Sequence, residues 1–308
     1  MKIIVFAYHD IGCQAIETLA QMGHEIGAVF THEDDAAENL WFGSVKKTAE
    51  HLKIPVYNPE NVNDSQWIIF IKNLKPDLIL SFYYRQIICD CILAIPSKGA
   101  YNLHGSLLPK YRGRAPINWA ILKGETETGL TLHKMVKKPD AGDILSQKKV
   151  IIESLDNAQT VFKKMVPLVR EILLETIPKL ENGTASFVQQ NHAAATYFGG
   201  RKPDDGRIDW SLSALQIYNL IRAVTHPYPG AFTVWNGKKI YIWQAALGKE
   251  KTNSEVSSGK ILSLNPFEII CGSGTLQIQK IQTETEEDLS ADEWLKKESN
   301  KSLIGNLL

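Results

Sequence analysis

The sequence has no long hydrophobic run. Its densest apolar stretch, residues 1–8, turns polar at His9-Asp10. A membrane helix needs roughly 20 such residues, and no small-residue cleavage site follows. No membrane insertion is expected, and a cytoplasmic protein is. No charge sign prevails either: 34 Lys and Arg match 34 Asp and Glu, so the formal net charge is zero. No global field draws the chain to nucleic acid or to an anionic bilayer. Cysteine is scarce, with only Cys13, Cys89, Cys91 and Cys271, which excludes a disulfide framework at this length. Cys89 and Cys91 lack the two-residue zinc spacing, and no pair of His or Cys nearby completes a site. The expectation is reduced, buried thiols and no metal. There is no internal repeat.

What remains is ordinary soluble composition, 44% hydrophobic and 22% charged, over 308 residues. That is room for one large domain or two modest ones. Residues 2–8 suit a central strand covered on both faces. A helix pattern at 11–22 stops at Gly23, and 24–31 reads as a second strand. Helical patterns follow at 45–52 and 67–74, with a short extended piece at 54–57 between them. Residues 77–82 and 99–103 are further apolar strands. This alternation predicts a Rossmann-like α/β domain built on a parallel sheet. Residues 158–180 form a long helical pattern, and 198–206 a loop. The expected boundary divides 1–203 from 204–308. Beyond it, a helix at 214–224 precedes short strands at 231–235, 240–246, 259–263, 268–271 and 275–281. Such strands suggest a small C-terminal β-barrel of OB-like type. The acidic run 284–288 reads as a solvated loop.

Parallel sheets place ligands beyond the carboxyl ends of their strands. Asn102 and His104 stand there, and Asp140 follows in Pro139-Asp140-Ala141-Gly142. An amide, an imidazole and a carboxylate are the parts that move an acyl group onto an amine. Asn102 can donate to a developing oxyanion. His104 can carry protons. A neighbouring Asp140 would favour the imidazolium and raise the His104 pKa. In an unbroken strand, 102 and 104 share a face. Spacing alone leaves the contact with Asp140 open, since Asp140 also suits a plain turn. Arg112 and Arg114 suit a carboxylate or phosphate, and equally a solvated surface.

The stretch Asn102-Leu103-His104-Gly105-Ser106-Leu107-Leu108-Pro109-Lys110-Tyr111-Arg112-Gly113 resembles the folate-dependent formyltransferases. The likeness extends over residues 99–119, 124–135 and 140–144, and into Ile208-Asp209-Trp210 and Asn219-Leu220-Ile221-Arg222-Ala223. It implies transfer of a formyl group from 10-formyltetrahydrofolate without a metal. Asn102 would stabilise the transition state, His104 would move the proton, and Asp140 would raise its pKa. The folate would lie along Gln86, Ile87 and Ile88, with Arg114 and Val136, Lys137, Lys138, Pro139 and Asp140 completing its site. Within the family, Tyr8-His9-Asp10-Ile11-Gly12-Cys13, Ser81-Phe82-Tyr83-Tyr84-Arg85 and Phe198-Gly199-Gly200-Arg201-Lys202-Pro203-Asp204-Asp205 resemble the branch found in bifunctional polymyxin-resistance proteins. That branch formylates UDP-4-amino-4-deoxy-L-arabinose on the way to modified lipid A. A UDP-linked amino sugar is then the expected partner, with Phe6, Tyr8, Tyr83 and Tyr84 as candidates for its uridine. The branch also carries an NAD-dependent decarboxylase domain, and no Gly-rich dinucleotide fingerprint for it occurs here.

Methionyl-tRNA formyltransferase is the nearest rival, and a tRNA enzyme needs basic surface. Residues 204–308 hold 11 Lys and Arg against 13 Asp and Glu. The loop with His32-Glu33-Asp34-Asp35 and Glu38 is also acidic. Both weigh against a nucleic-acid substrate. A non-catalytic nucleotide-binding module on the same fold would not need Asn102, His104 and Asp140 together. Trp235, Tyr241 and Trp243 can stack on bases, but aromatics at strand spacing are better read as core.

Overall fold

A computed structural model describes residues 1–33, 41–235, 237–249 and 257–297. The acidic positions Asp34, Asp35 and Glu38 lie outside the described residues. By contacts the chain divides into two units. The first holds residues 1–116, 127–151 and 162–199, and the second 117–126, 152–161 and 200–308.

The first unit opens with β1 (Lys2–Ala7), α1 (His9–Gln21), β2 (Glu25–Phe30), α2 (Val45–His51), β3 (Val56–Tyr57), α3 (Ser65–Leu74), β4 (Leu78–Phe82), α4 (Asp90–Leu93), β5 (Ala100–His104) and β6 (Arg112–Gly113). After α5 (Pro116–Leu122) come β7 (Glu127–Lys134), β8 (Ile144–Ile151), α6 (Ala158–Glu181) and β9 (Tyr197–Phe198). β1 and β4 are buried along nearly their whole lengths, as the continuous apolar runs require of strands covered on both faces. α1 buries Ile11, Ala15, Ile16 and Leu19, one stripe at helical spacing.

The seven-stranded sheet runs β3-β2-β1-β4-β5-β7-β8. Its first five strands are parallel, while β5–β7 and β7–β8 are antiparallel. The sheet is therefore mixed, not wholly parallel as expected. β8 is an edge strand carrying Gln147, Lys148 and Lys149, which suits an edge exposed to water and mutes the hydrophobic signal.

In the second unit, α7 (Ala214–Val224) starts at Ser213, whose side chain forms a capping box with Gln216. β10 (Ala231–Trp235), β11 (Lys238–Leu247), β12 (Ile261–Leu264), β13 (Phe267–Ile270), β14 (Thr275–Thr283), β15 (Leu289–Ser290) and α8 (Ala291–Lys296) follow. The strands form an antiparallel sheet in the order β10-β11-β14-β13-β12, with β15 on β14. Among the described residues the end strands β10 and β12 do not pair with each other, so the strand pairings do not close a barrel. Trp243 is core and bonds Gln282 through its indole N–H, while Trp235 and Tyr241 are half-buried. In the acidic run, Asp288 pairs with Lys280 at 2.6 Å and Glu286 with Lys297 at 2.5 Å.

The cysteines depart from expectation. Cys89 and Cys91 are joined as a disulfide, and only Cys271 is a fully buried thiol. Spacing of two is too short for the loop-closing role that makes a disulfide framework legible in sequence.

Candidate active site

β5 runs unbroken through His104, so Asn102 and His104 stand on one face of it. β7 lies antiparallel beside it, with His133 opposite Asn102 and Thr131 opposite His104. Opposed residues share a face. One patch of sheet thus gathers two histidines, an asparagine and a threonine. The Thr131 hydroxyl donates to the Ser106 carbonyl and accepts the Leu108 N–H. It ties the loop after β5 back onto the sheet.

The loop after β7 supplies the acid. Asp140 sits at φ 55°, in the left-handed region that short polar side chains tolerate best after glycine. Its Oδ2 accepts the Gly113 N–H at 2.9 Å. Its Oδ1 faces His104 Nδ1 at 3.5 Å and His133 Nε2 at 3.6 Å. The contact that spacing left open is present. His133 is the residue sequence reasoning passed over, and cross-strand register with Asn102 is the signal that marks it.

Two glycines make this approach possible. Gly113 has φ 98°, and a Cβ there would lie 2.2 Å from the Phe198 carbonyl oxygen. A Cβ on Gly142 would lie 1.9 Å from the Lys134 carbonyl oxygen. From the other side, Gln190 Nε2 donates to the carbonyls of Asp140 and Gly142. Gly113→Ala is expected to destabilise the protein by about 1–3 kcal/mol. It should also pull the N–H from Asp140. Urea unfolding of the variant checks this, and an unchanged midpoint refutes the requirement.

Hydrogen-bond roles fix the His104 ring. Its Nε2 lies 2.8 Å from the Tyr111 carbonyl, which only accepts, so Nε2 carries a proton. Nδ1 is left to Asp140. Burial is the strongest influence on His104 and lowers its pKa. Asp140 and the Tyr111 carbonyl push upward, while His133 and Arg112 lower it further. Asp140 therefore acts in the direction expected, but the net shift is downward, because only 7% of the residue is exposed. For Asp140, burial opposes ionisation. The neighbouring His133 ring, the His104 charge and the Gly113 N–H outweigh it and hold the carboxyl at about 2.

Arg112 is neither a surface charge nor an open anion ligand. It is fully buried, and its guanidinium bonds Gln190, His192 and the Tyr197 hydroxyl. Arg114 is exposed on the following loop. The Gln86 side chain accepts the Val62 N–H and donates to the Pro59 and Glu60 carbonyls. Ile88 is buried in a core cluster against which Met135 also packs. Their neighbours Ile87 and Val136 are exposed, 73% and 41%. Lys137, Lys138 and Pro139 are exposed too, with the Lys138 ammonium 5.1 Å from the Tyr197 ring centre. Phe6 is core, stacked on Phe30 at 4.9 Å, which removes it as a uridine candidate. The Arg85 guanidinium lies 4.5 Å over the Tyr8 ring. Tyr83 and Tyr84 are half-buried. Among the described residues no cluster of three His, Cys, Asp or Glu is arranged to hold a metal, and no helix is long and apolar enough to cross a membrane.

A family model described as formyl transferase matches residues 1–177, more than half of the chain. The chain belongs to the formyl transferase family. A second model, described as formyl transferase, C-terminal domain, matches residues 201–299 of this formyl transferase. Among solved structures, HypX from Aquifex aeolicus is 19% identical with a TM-score of 0.64, over 100% of this chain and 49% of its own. This formyl transferase thus spans about half the length of HypX. WlaRD, a sugar 3N-formyl transferase solved with dTDP and 5-N-formyl-THF, is 21% identical with a TM-score of 0.69, over 93% of this chain and 99% of its own. The N-formyltransferase from Helicobacter canadensis, solved with folinic acid and dTDP-3-aminofucose, is 21% identical with a TM-score of 0.67, over 91% and 98%. At these identities the likeness is one of fold.

Proposed function

We propose that this formyl transferase moves the formyl group of 10-formyltetrahydrofolate onto the 4-amino group of UDP-4-amino-4-deoxy-L-arabinose, in the lipid A modification that gives polymyxin resistance. The observation that carries the chemistry is the convergence of Asn102, His104 and Asp140 at the carboxyl end of β5. The amine nitrogen attacks the formyl carbon and forms a C–N bond. The carbonyl oxygen takes the negative charge, and the Asn102 amide N–H is the donor placed to meet it. The attacking nitrogen, now positive, gives a proton to His104. Collapse breaks the bond from the formyl carbon to the folate nitrogen, and the His104 proton goes to that nitrogen. Asp140 holds the imidazole ring and stabilises its charged form.

The expected folate segment suits a flat, partly apolar donor. Ile87 and Val136 offer exposed apolar surface beside Ile88 and Met135, which share one core cluster. The Gln86 amide is committed inside the protein, so that segment binds through its backbone and through Ile87. Exposed Lys137 and Lys138 suit a carboxylate. Support for the sugar-nucleotide acceptor comes from the branch-like stretches of sequence and from the dTDP-sugar relatives of the same fold.

The test offers the protein 10-formyltetrahydrofolate with UDP-4-amino-4-deoxy-L-arabinose, a dTDP-linked amino sugar and charged initiator tRNA in parallel. Formylation of the UDP sugar alone is the expected result. Formylation of the dTDP sugar or the tRNA instead would keep the transfer chemistry and overturn the acceptor. Turnover should fall in acid, because the attacking amine must be neutral.

A further inference from the structure

We propose that His133 is a positioning residue for formyl transfer, its Nε2 lone pair holding one Asn102 N–H so that the second remains the oxyanion donor. The proposal rests on the formyl-transfer reading above. His133 Nδ1 lies 3.0 Å from the Lys134 carbonyl. A carbonyl only accepts, so the ring proton sits on Nδ1. In the neutral ring Nε2 is then an acceptor, and Asn102 Nδ2 lies 3.3 Å from it. One amide N–H is engaged there. Flipping the amide would set Asn102 Oδ1 against the same lone pair, two acceptors in contact. His133 is 1% exposed, so no water offsets that repulsion. The orientation of the Asn102 amide is thereby set by a neighbour that does not touch the reacting atoms.

The experiment compares two substitutions of the full chain. His133→Phe keeps a planar ring and removes the lone pair, and His133→Gln keeps an acceptor. His133→Phe is expected to lower kcat about 100-fold, the size of one lost oxyanion donor, with KM nearly unchanged. His133→Gln should recover about tenfold of that loss. In an Asn102→Ala background, His133→Phe should cost little more, because both act through one amide. Nitrogen-15 NMR of the wild type at pH 7.5 should show the Nδ1–H tautomer. Full kcat in His133→Phe, or additive losses in the double variant, would overturn the proposal. So would an Nε2–H tautomer. The NMR arm needs no substrate. If His133→Phe fails to fold, the Gln variant and the tautomer still decide. If wild type transfers no formyl group at all, the functional reading fails while the tautomer result stands apart.

Discussion

His104→Ala is expected to lower kcat by about 100- to 10,000-fold, the usual worth of a positioned proton carrier, with little change in KM. The geometry gives the reason. The ring is held at one nitrogen by the Tyr111 carbonyl at 2.8 Å, and at the other by Asp140 at 3.5 Å. The second contact is long for a hydrogen bond, so Nδ1 is the nitrogen free to exchange a proton. Removing the imidazole takes away the group expected to accept the attacking nitrogen's proton and return it to the leaving nitrogen. It leaves the exposed apolar surface of Ile87 and Val136 intact, and that surface is where ground-state folate binding is expected. An interaction used only in the transition state lowers kcat and kcat/KM together. Asn102→Ala should follow the same split, by about 100- to 1000-fold. Steady-state kinetics on both variants check this. Near-normal turnover in His104→Ala would remove the proton-transfer role, and a raised KM with unchanged kcat would make the residue a binding group.

Local pattern carried the parallel part of the sheet because those strands are apolar along their whole length, and helices such as α7 announce themselves by a cap and a stripe. The antiparallel pair β7–β8 was illegible for the opposite reason. β8 is an edge with polar and charged positions, and the buried β7 includes Thr128, Thr131 and His133. Missing that pair also hid His133. Its role is set by an antiparallel register with Asn102, a relation 31 residues apart in the chain. Asn102 and His104 were legible because they lie two apart on one strand. Arg112 was not, since its burial depends on Gln190, His192 and Tyr197, all contributed by a distant segment. The same holds for the Cys89–Cys91 pair, where spacing gave no cue.

Asp140→Asn is expected to produce the second large effect, about 100-fold or more in kcat, and it separates two roles by their pH dependence. In the wild type, burial lowers the His104 pKa and Asp140 is the leading influence against it. The amide keeps the shape and removes the charge. The His104 pKa should therefore fall further, and the proton it must hold during transfer becomes harder to place. NMR titration of the ring should show the shift downward; an unchanged curve would reject the coupling. Stability responds separately. The Asp140 carboxyl is held down at about 2 in the folded protein, below the ordinary aspartate value of 3.8. A depressed folded pKa contributes stability that is full above the unfolded value and is lost as pH falls through the folded one. The wild type should thus lose about 2 kcal/mol from this group between pH 4 and pH 2. The buried His104 works in the same sense at higher pH. Its lowered pKa makes the unfolded chain bind the proton first, so stability falls as pH drops below about 6.5. Asp140→Asn should abolish the lower step and deepen the upper one, because the neutral amide no longer helps the folded protein hold an imidazolium. Denaturant unfolding at pH 7, 5 and 3 measures both. A variant whose profile kept the lower step would place that carboxyl elsewhere and leave Asp140 a simple turn residue.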